Sequence, residues 1–179
     1  MTETSKPVST TRRIPAPAGL VFSVLADPAR HPAIDGSGMV REALDPQPVR
    51  GVGDAFVMAM HNDEMGDYEM TNRVVEYEQD RRIAWEPVLS AASRGEDAAE
   101  IGNSAHQRWS YALVPDGEDH TLVTETYDCS ASPEWLQKAV RGGQRWMQSM
   151  ALTLERLESA TASAHPAQHA GRPPRQGDL

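Results

Sequence analysis

Residues 133–158 read PEWLQKAVRGGQRWMQSMALTLERLE, and this stretch decides how the rest of the chain can fold. Apolar residues recur in it every three or four positions, which is the spacing of one face of an α-helix. The residues of this face are Leu136, Ala139, Val140, Gly143, Trp146, Met147, Met150, Ala151, Leu154 and Leu157. A continuous helix of this length would extend roughly 39 Å. We therefore predict a long C-terminal helix that needs an apolar partner surface.

Gly142 and Gly143 lie near the middle of this predicted helix. Each glycine costs a helix about 1 kcal/mol relative to alanine, so the pair needs a structural or functional reason. One interpretation is a bend or a close contact with a strand, which the sequence favours. The other is space left beside the helix for a ligand.

The residues before the helix indicate short strands, because apolar and polar side chains alternate with a period of two. The predicted strands are 10–14, 39–44, 55–61, 68–77, 81–86, 105–114 and 121–128. A short helix follows the first strand and ends before Pro28, since the residue ahead of a proline avoids the helical region. Strands and helices that occupy separate stretches of the chain, instead of alternating, indicate the α+β class. We predict a curved antiparallel sheet whose concave face the C-terminal helix covers.

The predicted domain spans residues 10–159. Residues 1–9 are predicted to be a disordered lead, and residues 160–179, rich in Ala, His, Pro, Gln and Gly, a disordered tail. Residues 87–103 are small and polar and are predicted to form a long loop. Loops of this length in compact domains are often functional, so this one is a candidate for shaping access to a cavity.

The composition argues against several classes of protein. The 179-residue chain has a net charge of −9 and a pI near 5.1, with no basic patch, so we expect no nucleic-acid partner. It contains no apolar run of membrane-spanning length, and its polar N-terminus lacks a signal-peptide core. We expect a cytoplasmic protein without integral membrane association. The lone cysteine, Cys129, excludes an intramolecular disulfide. A homodimer is compatible with the sequence.

Residues 14–38, IPAPAGLVFSVLADPARHPAIDGSG, resemble the entrance of the polyketide cyclase/dehydrase-like branch of the START-like, Bet v 1-like (SRPBCC) superfamily. The later segments VGDAFVMAM, YEMTNRVVEYEQDRRIAWE and WSYALVPDGEDHTLVTETYD follow in the order of that family. The resemblance implies the helix-grip fold, a curved antiparallel sheet wrapped around a long C-terminal α-helix. It also implies a cavity between the two. Members of the superfamily bind sterols, lipids, polyketides or plant hormones, and a few are cyclases or hydrolases.

The side chains predicted to line such a cavity are apolar or aromatic, with a few polar groups, as is usual for small-molecule pockets. They are Phe56, Met58, Met60, Tyr68, Met70, Asn72, Trp85, Trp109, Tyr111, Met147 and Met150. For any one of them, a packed core is the simpler alternative. In the last strand, either the odd-numbered residues from Val123 to Tyr127 or the even-numbered ones from Leu122 to Asp128 face inward. A register shift of one residue inverts this facing, so the sequence leaves it open.

Four polar features are candidates for chemistry. An inward Glu125 would have a raised pKa and could act as an acid or base, although an outward charge is favoured. His31 could carry protons near the cavity mouth, although a helix-end or loop hydrogen bond is favoured. Asn72 could equally orient a ligand or pair with the backbone. The His and carboxylates of the hairpin from His61 to Asp67 lack the spacing of a known metal motif, so we predict no metal site.

These features favour a protein that binds a small hydrophobic ligand, such as a lipid, a sterol or a polyketide-like molecule, without a cofactor. Asn72, Tyr68 and Tyr111 are candidates for orienting that ligand. The alternative is an enzyme of polyketide cyclase or dehydratase type that acts on a ligand in the same cavity. Whether the protein is an enzyme stays open, because the sequence shows no convergent acid–base pair.

Overall fold

The computed structural model describes residues 5–90, 93 and 106–164. The strands are β1 (Val8–Ile14), β2 (Val40–Leu44), β3 (Ala55–Asn62), β4 (Gly66–Glu78), β5 (Arg82–Leu89), β6 (Arg108–Pro115) and β7 (Thr121–Asp128). The α-helices are α1 (Ala18–Leu25), α2 (His31–Ile34), α3 (Glu134–Ala139) and α4 (Met147–Ala164), with 3-10 turns at Pro28–Arg30 and Arg141–Trp146. Within these residues, none of the helices combines the length and apolar character that a membrane span requires.

The seven strands form one antiparallel sheet in the order β1-β7-β6-β5-β4-β3-β2. Chain neighbours pair throughout, except that β1 lies beside β7. Register shifts between Val74 and Glu76 in β4 and between Val40 and Glu42 in β2 mark irregularities of the bulge type, which bend and twist a sheet. The predicted α+β class and its curved antiparallel sheet are therefore confirmed.

Several element boundaries differ from those predicted. The sheet begins at Val8, within the stretch predicted as a lead, and α4 continues past the predicted domain end to Ala164. β5 continues to Leu89, so the stretch predicted as a loop begins as strand. Most of that loop, together with residues 1–4 and 165–179, lies outside the described residues.

The C-terminal helix is not continuous, which corrects the prediction for residues 133–158. Gly142 and Gly143 have φ values of 61° and 96°, in the left-handed region that favours glycine. A Cβ on Gly143 would lie 2.7 Å from Cγ2 of Val8 and 2.9 Å from Cδ1 of Tyr127. The glycine pair therefore marks a bend and a close contact with strands β1 and β7, as the sequence favoured.

Two clusters of buried side chains hold the helices against the sheet. The larger one joins α1, α2 and α4 to the sheet and includes Phe22, Ile83 and Leu157. The smaller one joins β1 and β7 to α3 and α4 and includes Tyr127 and Leu136. Burying each large apolar side chain contributes about 1.5–3 kcal/mol.

The loop after α2 is held tightly against α4. The amide of Gly36 donates to Oγ1 of Thr153 at 2.9 Å, and the guanidinium of Arg156 donates to the carbonyl of Asp35. A Cβ on Gly36 would lie only 2.1 Å from the carbonyl oxygen of Ser149 in α4. Only glycine therefore permits this approach of loop and helix.

Candidate functional site

A cavity of about 440 Å³ lies between the sheet and the C-terminal helices. Its wall includes side chains of strands β2 to β7, the loop after α2, and the segment from α3 to α4. Most of these side chains are apolar or aromatic. The volume falls within the range of small-molecule pockets, which is about 300–1,000 Å³.

Ten of the eleven side chains predicted from the sequence lie in this wall. They are Phe56, Met58, Met60, Tyr68, Met70, Asn72, Trp85, Trp109, Tyr111 and Met150. Met147 is not part of the wall and instead packs against the smaller cluster, around Tyr127. The ten wall residues remain the predicted ligand contacts.

The facing of β7, which the sequence left open, is determined by its pairing with β1 and β6. In that register Val123, Glu125 and Tyr127 are buried, whereas Leu122 is 40% exposed. Glu125 therefore turns into the cavity, and the outward orientation favoured from the sequence is wrong. A sequence signal was present, because Glu125 lies between two large apolar residues at a spacing of two.

Glu125 forms a buried pair with Tyr111, its direct partner on β6. The hydroxyl of Tyr111 donates to Oε1 of Glu125 at 2.9 Å, and Glu125 is only 2% exposed. Its second oxygen, Oε2, is buried and has no hydrogen-bond partner within the part of the chain that the structure describes.

Burial raises the pKa of Glu125 to about 8, although the hydrogen bond from Tyr111 acts in the opposite direction. The negative charge of Asp35 adds to the increase. Burial, followed by the charge of Glu125, also raises the pKa of Tyr111. At neutral pH this pair is therefore mainly a protonated acid beside a neutral phenol.

His31 serves as a structural part of the cavity wall. Its Nε2 donates to the carbonyl of Leu25, the last residue of α1, at 2.8 Å, which confirms the helix-end hydrogen bond that the sequence favoured as one alternative. The ring stacks on Trp85, with centroids 5.3 Å apart, and meets Phe56 edge-on at the same distance. Burial lowers the pKa of His31, so the ring is neutral at pH 7.

The cavity reaches solvent between the β3–β4 hairpin and α3. Met65 on the hairpin is 53% exposed and Trp135 on α3 is 50% exposed, yet both belong to the cavity wall. Nη2 of Arg145 lies 3.9 Å from Oε1 of Glu64 across this opening. An exposed apolar rim with one loose ion pair is therefore the mouth of the cavity.

Two further polar positions have backbone or surface partners. Nδ2 of Asn72 donates to the carbonyl of Met70 at 3.3 Å, so the predicted pairing of this side chain with the backbone is present. The same side chain also lines the cavity. Nδ1 of His61 pairs with Oδ1 of Asp67 at 2.7 Å. Among the described residues, no three His, Cys, Asp or Glu side chains come together as a metal site would require.

Besides Glu125, several wall residues were not predicted as ligand contacts. Leu136, Val140 and Trp146 belong to the apolar face of the C-terminal segment, so the helical spacing could have identified them. Trp135 and Gln107 carry no such signal, because only the tertiary arrangement brings them to the cavity.

Residues 6–161 match the family described as polyketide cyclase / dehydrase and lipid transport. The chain belongs to this family. The match covers the whole sheet and most of α4, and it confirms the resemblance to the SRPBCC superfamily.

Relatives of this family member are distant. The uncharacterized protein Rv0088 of Mycobacterium tuberculosis is 29% identical over 125 residues, which are 70% of this chain and 48% of that protein. The chain therefore spans about half the length of the curated relatives it matches.

Solved structures share the fold at low identity. A START superfamily protein from Mycobacterium smegmatis has a TM-score of 0.57 at 16% identity, covering 88% of this chain and 98% of that one. A point mutant of norcoclaurine synthase from Thalictrum, in complex with a transition-state analogue, has a TM-score of 0.59 at 14% identity, covering 89% and 95%. The helix-grip fold is thereby confirmed.

Proposed function

We propose that this protein binds a small hydrophobic molecule in the cavity between its sheet and its C-terminal helices. The observation that carries this proposal is the cavity of about 440 Å³ with mainly apolar walls and an open mouth. The description of the family, which includes both cyclases and lipid transport, supports it. Lipids, sterols and polyketide-like molecules are the ligand classes proposed.

Affinity would come mainly from removing apolar ligand surface from water. Each 100 Å² contributes about 2.5 kcal/mol, offset by the loss of translational and rotational freedom. The methionines of the wall, Met58, Met60, Met70 and Met150, are flexible and adapt to differently shaped ligands. Polar groups such as Asn72 would then set the orientation.

Native mass spectrometry of freshly purified protein, followed by organic extraction, tests this function. We expect a reproducible additional mass of a drug-sized molecule that is lost on denaturation. A bare protein mass, combined with no thermal shift on a panel of sterols, fatty acids and aromatic polyketides, would contradict the proposal.

Met58→Trp should abolish uptake of such a ligand while leaving the fold nearly intact. Met58 is buried on the cavity side of β3, so a larger ring has space only where the ligand would lie. The measurement is native mass spectrometry together with thermal unfolding. Ala55→Trp, on the exposed side of the same strand, is the matched control and should retain uptake. If Met58→Trp strongly destabilises the protein, and ligand is never detected, the space is packed core.

A second candidate function, catalysis of polyketide cyclase type, is favoured by the Tyr111–Glu125 pair inside the cavity. Such an enzyme would orient a poly-β-ketone for aldol closure, and this pair would move protons at its carbonyl groups. Deuterium exchange at the α-carbon of propiophenone provides a test. Exchange faster with the protein than in buffer alone supports the catalytic function. Equal rates with and without the protein leave only the binding function.

A further inference from the structure

The carboxyl group of Glu125 is not explained by a purely hydrophobic ligand. Oε1 accepts the hydroxyl of Tyr111, but Oε2 is buried in the cavity wall without a partner among the described residues. An unsatisfied buried polar group costs about 1–3 kcal/mol. A hydrocarbon surface placed against Oε2 would leave this cost in place.

The charges around the cavity show which form of the carboxyl group this site stabilises. The titratable groups of the described wall are His31, Asp35, Glu64, Tyr68, Tyr111, Glu125 and Arg145. Arg145 is exposed at the mouth, where it faces Glu64. The charge of Asp35 disfavours a second carboxylate inside the cavity.

His31 and Asp35 do not change this conclusion. The neutral ring of His31 directs its Nε2 proton to the carbonyl of Leu25. The carboxylate of Asp35 accepts from the amides of Ser37 and Val40. The neutral acid is therefore the stable form of Glu125, with Oε1 as acceptor for Tyr111 and the proton on Oε2.

We propose that the Tyr111–Glu125 pair is a carbonyl-binding subsite, in which Oε2 of Glu125 donates a hydrogen bond to an acceptor oxygen of an otherwise apolar, uncharged ligand. This inference rests on the proposed binding function and narrows its ligand class to hydrophobic ketones, quinones and esters. Hydrocarbons lack the acceptor. A carboxylate ligand would place a second negative charge in the cavity near that of Asp35, which disfavours its binding. A cationic amine would need an ionised Glu125 as its partner.

Matched diphenyl compounds test the subsite by isothermal titration calorimetry. At pH 6 the wild type should bind benzophenone about tenfold more tightly than diphenylmethane, which lacks only the carbonyl oxygen. The preference should disappear at pH 9, because Oε2 has then lost its proton. Diphenylacetate and diphenylmethylamine, which carry a negative and a positive charge, should bind more weakly than benzophenone at pH 6.

Two variants separate hydrogen bonding from packing. Glu125→Gln keeps a donor in place of Oε2–H, so it should retain the preference for benzophenone at both pH 6 and pH 9. Glu125→Met has a similar length without a donor, so it should bind both compounds alike. Glu118→Gln, on the exposed hairpin between β6 and β7 and outside the cavity wall, is the control and should behave like the wild type.

Equal affinity of the wild type for benzophenone and diphenylmethane would overturn the subsite while leaving the binding function intact. A preference for diphenylmethylamine over benzophenone at pH 6 would also overturn it, because it would show that the carboxyl group is already ionised at that pH. Binding of none of the four compounds, nor of any molecule by native mass spectrometry, would overturn the binding function and the subsite together. The wild-type comparison gives this answer even if a variant fails to fold.

Discussion

Replacing Glu125 by glutamine should increase the free energy of unfolding by about 4 kcal/mol at pH 9, relative to the wild type, and change it little near pH 4.5. Burial raises the pKa of Glu125 from its ordinary value of 4.5 to about 8 in the folded protein. At a pH between these two pKa values, Glu125 is ionised in the unfolded chain but still protonated in the folded protein. The stability of the wild type therefore falls as the pH rises from 4.5 through 8, whereas glutamine has no proton to lose.

Urea unfolding at pH 5, 7 and 9 measures this effect as the difference between wild type and variant. Other groups also titrate in this range, but they are common to both proteins and cancel in the difference. Glu118→Gln, on the exposed hairpin between β6 and β7, is the control and should follow the wild-type curve. Parallel curves for wild type and Glu125→Gln would show that Glu125 is not buried as an acid. A residue retained at such a cost is typical of a functional site.

Gly36→Ala should lower the free energy of unfolding by about 3 kcal/mol or more, because the loop after α2 and helix α4 would have to separate. The added Cβ would lie 2.1 Å from the carbonyl oxygen of Ser149 and 2.7 Å from the amide nitrogen of Thr153. Both are backbone atoms of α4 and cannot move aside as a flexible side chain can. The separation would also break the hydrogen bond from the amide of Gly36 to Thr153.

Gly38→Ala provides a matched comparison within the same loop. Gly38 has a φ of 71°, but a Cβ there would meet no atom within 4 Å. Its replacement should therefore cost only the backbone strain, about 1–2 kcal/mol. Thermal and urea unfolding of both variants give the two values. A cost at Gly36 no larger than that at Gly38 would show that the loop does not approach α4 this closely.

The fold could be predicted because its signals are local. The period of two in the strands and the spacing of apolar residues in the C-terminal segment each follow from a few neighbouring residues. The apolar spacing continues on both sides of Gly142 and Gly143 and by itself predicts one unbroken helix, so only the glycine pair indicated the bend. The close contact of Gly143 with Val8 could not be predicted, because these two residues lie far apart in the sequence.

The candidate site was less predictable, because it depends on strand register. Apolar side chains lie on both faces of β7, with Leu122 on one face and Val123 and Tyr127 on the other, so apolar contrast distinguishes the two faces only weakly. Pairing with β1 and β6 determines the facing and places Tyr111 directly opposite Glu125. An acid–base pair formed across two strands cannot be seen until that register is known.

The pairing of β1 with β7 has a consequence for the synthesis of this protein. The hydroxyls of Ser9 and Thr126 hydrogen-bond at 2.8 Å across a sequence separation of 117 residues. Among the strands, β1 is synthesised first and its partner β7 last. The edge of β1 that pairs with β7 therefore stays unpaired while the other strands are being synthesised. Such edges invite pairing with other chains. The newly made chain is therefore most exposed to pairing with other chains before β7 appears.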